Sequence, residues 1–271
     1  MLTATQDSWW QTAITDIRPG VICMRGYAIE QLIGRIAFPE MIWLMLRGEL
    51  PTPEQGKLLG AALVAAVDHG PQAPSIAIAR MAITCGVGIN NAMASGVNAL
   101  GDIHGGAGQQ CMELYAAVAA RTHVGANVEL AAAAEVDARL AAGKLIEGYG
   151  HRFHPVDPRA GRLLELVDRA ATVGAVDNGT VRIGRAVEAA LHSRKGKLLP
   201  MNIDGATAVV YTALGFAPEL GRGLFVLSRS VGILAHAWEQ RQQGGRIKGP
   251  QPPAIPYTYT GPAPRKLEEI R

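Results

Sequence analysis

Alternation of β-branched and polar residues, the pattern that a half-buried strand needs, is scarce along these 271 residues, whereas alanine- and leucine-rich stretches with apolar side chains three and four apart recur through most of them. Val128-Glu129-Leu130-Ala131-Ala132-Ala133-Ala134-Glu135-Val136-Asp137-Ala138-Arg139-Leu140 is typical: the apolar positions have helical spacing and good helix formers dominate. Phe38-Pro39-Glu40 opens the apolar run Met41 to Leu46, Gly48 stops it, and Pro51-Thr52-Pro53-Glu54 starts another helix with proline in its first turn. A helical hairpin is expected there. Long runs of alternating Val, Ile and Thr are missing, so no sheet of several strands can be assembled and the expected class is all-α. Proline and glycine cluster at 70–74, 148–158, 195–200 and 244–264, which marks these segments as irregular connections.

With 48% hydrophobic and only 18% charged residues, the chain can bury a core for one large domain or two small ones without disulfides or structural metal. Cys23, Cys85 and Cys111 are odd in number and lie in no ligand spacing, which suits reduced thiols in a cytoplasmic protein. Met1 to Gln11 is polar with two tryptophans and lacks the features of a signal peptide. Apolar stretches such as Leu58 to Val67 are too short to span a bilayer, so no membrane association is expected. A net charge of +3 without a basic stripe interleaved with aromatics argues against nucleic acid as a partner. The proline-rich end, 249–264, is expected to be an ordered arm packed on another surface.

Chemistry concentrates in four short segments. Asp68-His69-Gly70-Pro71, Gly101-Asp102-Ile103-His104-Gly105-Gly106-Ala107, Gly148-Tyr149-Gly150-His151-Arg152 and Asn202-Ile203-Asp204-Gly205 each set a proton-handling group among residues that permit tight turns or close approach. Imidazoles and a carboxylate presented this way suit acid–base chemistry on a carbon acid. His69 taken alone reads more often as a helix C-terminal residue favoured by the dipole. His154 faces either ligand or water, and His123, His192 and His236 receive no role. The proline-stiffened loop places His151 eight residues before Arg159, so an imidazole and a guanidinium fork can meet one ligand. Arg229 interrupts an apolar helix and requires either an anion or a core carboxylate. Asp204 lies in an apolar setting that raises a carboxyl's proton affinity, and its alternative is an N-cap for a helix beginning near Ala206.

The motif Gly148-Tyr149-Gly150-His151 with Asp157-Pro158-Arg159, together with His104-Gly105-Gly106-Ala107, the stretch Lys197 to Asp204, and Ser228-Arg229-x-x-Gly232-x-x-Ala235-His236, resembles the signature segments of the citrate synthase superfamily. The resemblance runs from about residue 25 to the end, with Arg25 to Glu30 and Arg47 to Pro51 similar to the early helices. The short length, Asp68 to Pro71 and Gly143-Lys144-Leu145-Ile146 look most like the citryl-CoA lyase branch, which includes the lyase module of ATP-citrate lyase. It implies an all-α, citrate synthase-like fold with a large domain (1–108 and 212–271), a small domain (109–211) inserted into it, and a site in the cleft. It also implies an obligate homodimer, with assembly into tetramers left open.

By position, the resemblance gives His104 the thioester oxygen of an acyl-CoA, Asp204 the proton at the α-carbon and His151 the tertiary hydroxyl. His69, Arg152, Arg159 and Arg229 would hold carboxylates. The basic loop at Lys195 and Lys197 would meet the phosphates of coenzyme A, with the backbone of Gly148, Tyr149 and Gly150 beside the adenine; a solvated turn is the alternative for the loop. No metal is implied. Citrate synthases carry an Arg-Pro pair that reaches across the dimer, whereas this chain reads Arg246-Ile247-Lys248-Gly249-Pro250, so Arg246 or Lys248 would replace that cation. The expected activity is cleavage of citryl-CoA or a close analogue to acetyl-CoA and oxaloacetate. The alternatives are a synthase condensing acyl-CoA with a 2-oxo acid, and a non-catalytic CoA-binding subunit.

Overall fold

The computed structural model describes residues 10–123 and 127–265. Helices dominate, as expected. Strands β1 (Thr15–Arg18), β2 (Val21–Met24) and β3 (Tyr27–Ala28) precede the short helix α1 (Ile29–Leu32), followed by α2 (Phe38–Arg47), α3 (Pro53–Ala65), α4 (Pro74–Thr84), α5 (Ile89–Asn98) and α6 (Ala107–His123). Then come α7 (Val128–Ala141), α8 (Pro158–Thr172), α9 (Gly179–Lys195), α10 (Ile203–Ala213) and the long α11 (Pro218–Gln243).

The three strands correct the expectation that no such sheet would form. They pair antiparallel in the order β1-β2-β3, with Arg18 opposite Val21 and Met24 opposite Tyr27. Turn chemistry explains them. Pro19 and Gly20 (φ 77°) give the proline-then-glycine order of a type II turn, and Arg25 (φ 49°) with Gly26 (φ 87°) supplies the two positive φ angles of a type I′ hairpin. Arg25 also donates from its guanidinium to the Met45 carbonyl oxygen, which ties the meander to the end of α2.

The α2–α3 hairpin forms where the sequence predicts. Gly48 ends α2 in the left-handed region, and Thr52 caps α3 by accepting from the Gln55 N–H while the Gln55 side chain accepts from the Thr52 N–H. One large apolar cluster joins α2 and α3 to α6 through α10, centred on Leu59, Met112, Tyr115, Val187 and Val209. A smaller cluster, with Ile76, Ala79, Ala92, Ile233 and Ala237 at its heart, is formed where α4 and α5 pack against α11. The loops between these two packed groups carry most of the chemistry-bearing side chains. Among the described residues no helix is long and apolar enough to cross a membrane.

Candidate active site

A cavity of about 860 Å³ opens between the two apolar clusters and is lined by His69, His104, Gly150, His151, Arg152, His154, Arg159, Asp204 and Arg229. All four sequence segments therefore reach one space. Ile103, Phe153 and Phe225 add apolar wall.

His104 is held by the first turn of α4. The backbone N–H of buried Ser75 donates to its Nε2 at 3.1 Å, and the Ser75 hydroxyl lies 2.9 Å from the same nitrogen. A nitrogen that accepts an N–H carries no proton, so the neutral ring keeps its proton on Nδ1, free to donate. Burial, reinforced by the Arg229 charge, lowers its pKa. His151 has the opposite tautomer. Its Nδ1 accepts the N–H groups of Phe153 (3.0 Å) and His154 (3.1 Å), which leaves the proton on Nε2. His69 and His154 complete an imidazole cluster, their ring centroids 5.1 and 4.6 Å from that of His151. Burial first, then neighbouring cations and imidazoles, depresses the pKa of both His69 and His151.

Asp204 stands in the first turn of α10 but does not cap it. The helix begins at Ile203, and Asn202 is the cap, its Oδ1 accepting from the Asp204 and Gly205 N–H groups at 2.9 and 3.3 Å. The Asn202 Nδ2 donates to the Gly150 carbonyl oxygen at 2.6 Å, and the Asn202 N–H to that of Gly148 at 2.9 Å. One asparagine thus fastens the loop of His151 to the helix of Asp204. Desolvation raises the Asp204 pKa despite the opposing charges of Arg229 and Arg159.

The two inner arginines are oriented differently. Arg159 makes a two-pronged ion pair with Asp157, Nε to Oδ1 at 2.9 Å and Nη2 to Oδ2 at 2.8 Å. Asp157 is fully buried, caps α8 and also accepts the Ile203 N–H at 3.0 Å. Arg229, 6% exposed, donates from Nε to the Ala66 carbonyl oxygen and lies over the Phe225 ring, with no carboxylate at salt-bridge distance among the described residues. A buried guanidinium without such a partner favours an anion in the cavity. Burial lowers its pKa, against the pull of Asp68 and Asp204.

Several sequence-assigned residues lie elsewhere. Gly148 packs beneath Cys111 and Gly205, and the Tyr149 hydroxyl is buried against Tyr115 (2.9 Å) and the Gly184 carbonyl oxygen (2.8 Å), so of that trio only Gly150 reaches the cavity. Lys195 and Lys197 are exposed around the C-terminus of α9 and do not line it. Arg246 and Lys248 are exposed on the segment after α11, where the Ile247 and Lys248 N–H groups dock on Thr84, and neither lines this chain's cavity. Conversely, Ser75, Asp157 and Phe225 were given no role from the sequence. Asp157 had a signal, an acidic residue directly before a proline at a helix start; Ser75 had none.

A sequence model described as "Citrate synthase, C-terminal domain" matches residues 7–59 and 51–251. The chain belongs to the citrate synthase family. Citrate synthase 2 of Bacillus subtilis (strain 168) is 31% identical over 227 residues, covering 83% of this chain and 56% of that protein. Citrate synthase of Acidithiobacillus ferridurans is 28% identical with the same coverage, so the chain spans about half the length of these relatives. Citryl-CoA lyase from Hydrogenobacter thermophilus superposes with a TM-score of 0.84 at 31% identity, covering 96% of this chain and 98% of that one. ATP citrate lyase of Methanosaeta concilii, solved with (3S)-citryl-CoA, shares the fold with a TM-score of 0.79 at 20% identity over 95% of this chain and 44% of that one. The all-α, citrate synthase-like fold follows from these likenesses.

Proposed function

We propose that this family member is a CoA-dependent carbon–carbon lyase that cleaves citryl-CoA, or a close analogue, to acetyl-CoA and oxaloacetate. The observation that carries the reading is the pairing in one cavity of a pinned Nδ1–H donor, His104, with a desolvated carboxyl, Asp204. A thioester enolate requires a donor at oxygen and a proton-transfer group at carbon, and both strengthen in a dry cleft. In cleavage His151 donates from Nε2 to the oxygen that becomes the 2-oxo group, and the proton of the tertiary hydroxyl passes to a neighbouring imidazole, His69 or His154, as the carbon–carbon bond breaks. The electron pair of that bond moves into the enolate held by His104, and Asp204, whose desolvation raises its affinity for a proton, delivers one to the α-carbon. His69, Arg152, Arg159 and Arg229 hold the carboxylates. Gly150 borders the nucleotide; Lys195 or Lys197 meets phosphate only if coenzyme A extends past the cavity mouth.

The end-to-end likeness to a citryl-CoA lyase supports this direction. The names of the sequence relatives support the runner-up, a synthase that also hydrolyses the thioester. The same reading includes a cytoplasmic homodimer in which Arg246 or Lys248 approaches the partner's cleft, and the division into 1–108 with 212–271 and 109–211. Pure protein is incubated with citryl-CoA and, separately, with acetyl-CoA plus oxaloacetate, following oxaloacetate and free thiol. Oxaloacetate without free thiol supports the lyase, citrate with free thiol the synthase, and no turnover of either substrate set a binding subunit.

A further inference from the structure

Helix α11 meets the last turn of α3 and the connection to α4 through four residues on one face, Ser228, Arg229, Gly232 and His236. The Ser228 hydroxyl donates to the Leu63 carbonyl oxygen at 2.5 Å, and Arg229 Nε donates to that of Ala66 at 3.2 Å. Gly232 lies so close under Val67 that a Cβ there would collide with its carbonyl oxygen, and His236 Nε2 lies 3.3 Å from Asp68 Oδ1 and 3.4 Å from Oδ2. The turn so held continues into His69, and Asp68 Oδ2 also accepts the Gly70 N–H at 3.0 Å. Behind His236 stands Arg80 of α4, whose Nη1 is 3.0 Å from His236 Nδ1, with further bonds to Glu239 and Gln243. A guanidinium only donates, so Nδ1 is the acceptor and the remaining imidazole proton is on Nε2, facing Asp68.

We propose that His236 is a positioning residue for the carboxylate pocket: oriented by Arg80, it donates from Nε2 to Asp68 and thereby fixes the turn that presents His69 and the Ala66 carbonyl that aims Arg229. This rests on the reading of the cavity as a carboxylate site. It also accounts for a histidine that packs no apolar core and caps no helix. The Gly232 contact has the same consequence, because only a glycine lets the turn approach α11 near enough for His236 to reach Asp68. Asp68 in turn is the first carboxylate favouring the charged form of Arg229, so loosening the turn weakens both the position and the setting of that cation.

The test compares His236→Leu, which removes the donor, with His236→Gln, whose amide can place an N–H near the Nε2 position. Calorimetry measures the Kd of citrate, used as the tricarboxylate probe, and of coenzyme A, and the imidazole signals of ligand-free His69 are followed by NMR. Expected are a citrate Kd raised about tenfold in His236→Leu, the scale of one lost hydrogen bond to a charged group, a coenzyme A Kd within about twofold, and displaced His69 signals. His236→Gln is expected to recover most of each change. An unchanged citrate Kd with unmoved His69 signals overturns the proposal, as does His236→Gln behaving like His236→Leu. If His236→Leu fails to fold, His236→Gln against His236→Asn, which places its amide at the Nδ1 side, decides in the same way. Wild-type protein that binds no citrate overturns the carboxylate-site reading instead, and the His69 signals then still decide whether His236 holds the turn.

Discussion

Asp157→Asn removes one charge and reverses one acceptor at a site where every acceptor is in use. In the native side chain Oδ1 accepts from the Arg159 backbone N–H and Nε, while Oδ2 accepts from Arg159 Nη2 and the Ile203 N–H. Whichever way the asparagine amide is turned, its NH2 faces two donors, so two hydrogen bonds are lost and the guanidinium loses its counter-charge. A bond to a charged group contributes about 1.5 to 3 kcal/mol and a neutral one about 1 kcal/mol. The carboxylate is fully buried while the Arg159 side chain is 22% exposed and can partly rehydrate, so a loss of about 3 kcal/mol is expected rather than the upper end for a broken buried pair. Urea unfolding of wild type and variant at pH 7 measures it. The pH dependence has a definite sign. Burial would raise the Asp157 pKa, but the Arg159 side chain and the backbone donors win and lower it. The ionised form therefore contributes fully above the ordinary carboxylate value, about 3.9, and that contribution fades as pH falls through the lower folded value. The stability gap should be constant from pH 7 to about 5 and narrow below about 4. A loss under about 1 kcal/mol at pH 7, or a gap that widens in acid, would refute the reasoning.

Asp204→Asn should lower turnover by at least about two orders of magnitude, the scale of a positioned acid or base, while calorimetry finds the coenzyme A Kd little changed; retained activity within a few fold removes Asp204 from the mechanism. His69, His104 and His151 are all depressed below the ordinary histidine value, so neutral forms should persist through pH 7 and the acid limb of kcat/KM should lie below about 6.5. An acid limb centred above that pH contradicts the tautomer assignments. Gly148→Ala places a Cβ 2.6 Å from Cys111 Sγ and 2.9 Å from the Gly205 Cα at a φ of 87°, and should cost about 3 kcal/mol or prevent folding; a melting temperature within about two degrees of wild type shows that the crossing can relax.

Helix boundaries were legible where local chemistry sets them. Gly48 and the Thr52–Gln55 box act within four residues of chain, so their effect is written beside them. The small sheet was not, because its strands are four residues or shorter and too brief to show alternation; the signal lay in the turn pairs Pro19-Gly20 and Arg25-Gly26. His69, His104, His151, Arg159, Asp204 and Arg229 all reach the cavity, as expected from motif order. The partners that hold them did not show, since Ser75 lies 29 positions from His104 and Ile203 46 from Asp157. The family resemblance set the backbone of Gly148 and Tyr149 beside the adenine, yet a segment that delivers His151 to a cavity anchors these two neighbours in the core. Lys195 has a local cause as well: basic residues favour the C-terminal end of a helix, and Lys195 is the last residue of α9.

The placement of four helix starts around one cavity explains why a carboxyl and several uncharged imidazoles can share it. Pro74 at the start of α4, Ala107 at that of α6, Arg159 in α8, and Ile203 with Asp204 in α10 all line the space. Each start carries partial positive charge and N–H groups without helical partners. Burial first, then the neighbouring arginine charges, opposes protonation of His69, His104 and His151, and a positive field at the helix starts acts in the same sense. The same field favours ionised Asp204, and its desolvation, helped by the Asp157 charge, outweighs that, leaving a carboxyl able to release or accept a proton. A polyanionic ligand such as the proposed substrate would offset the cations that hold the Asp204 pKa down, and so raise the proton affinity of Asp204 further. That makes the carboxylate a stronger base toward an α-carbon and keeps the acid form populated ahead of protonation at carbon, so the effect serves both directions of the proposed reaction.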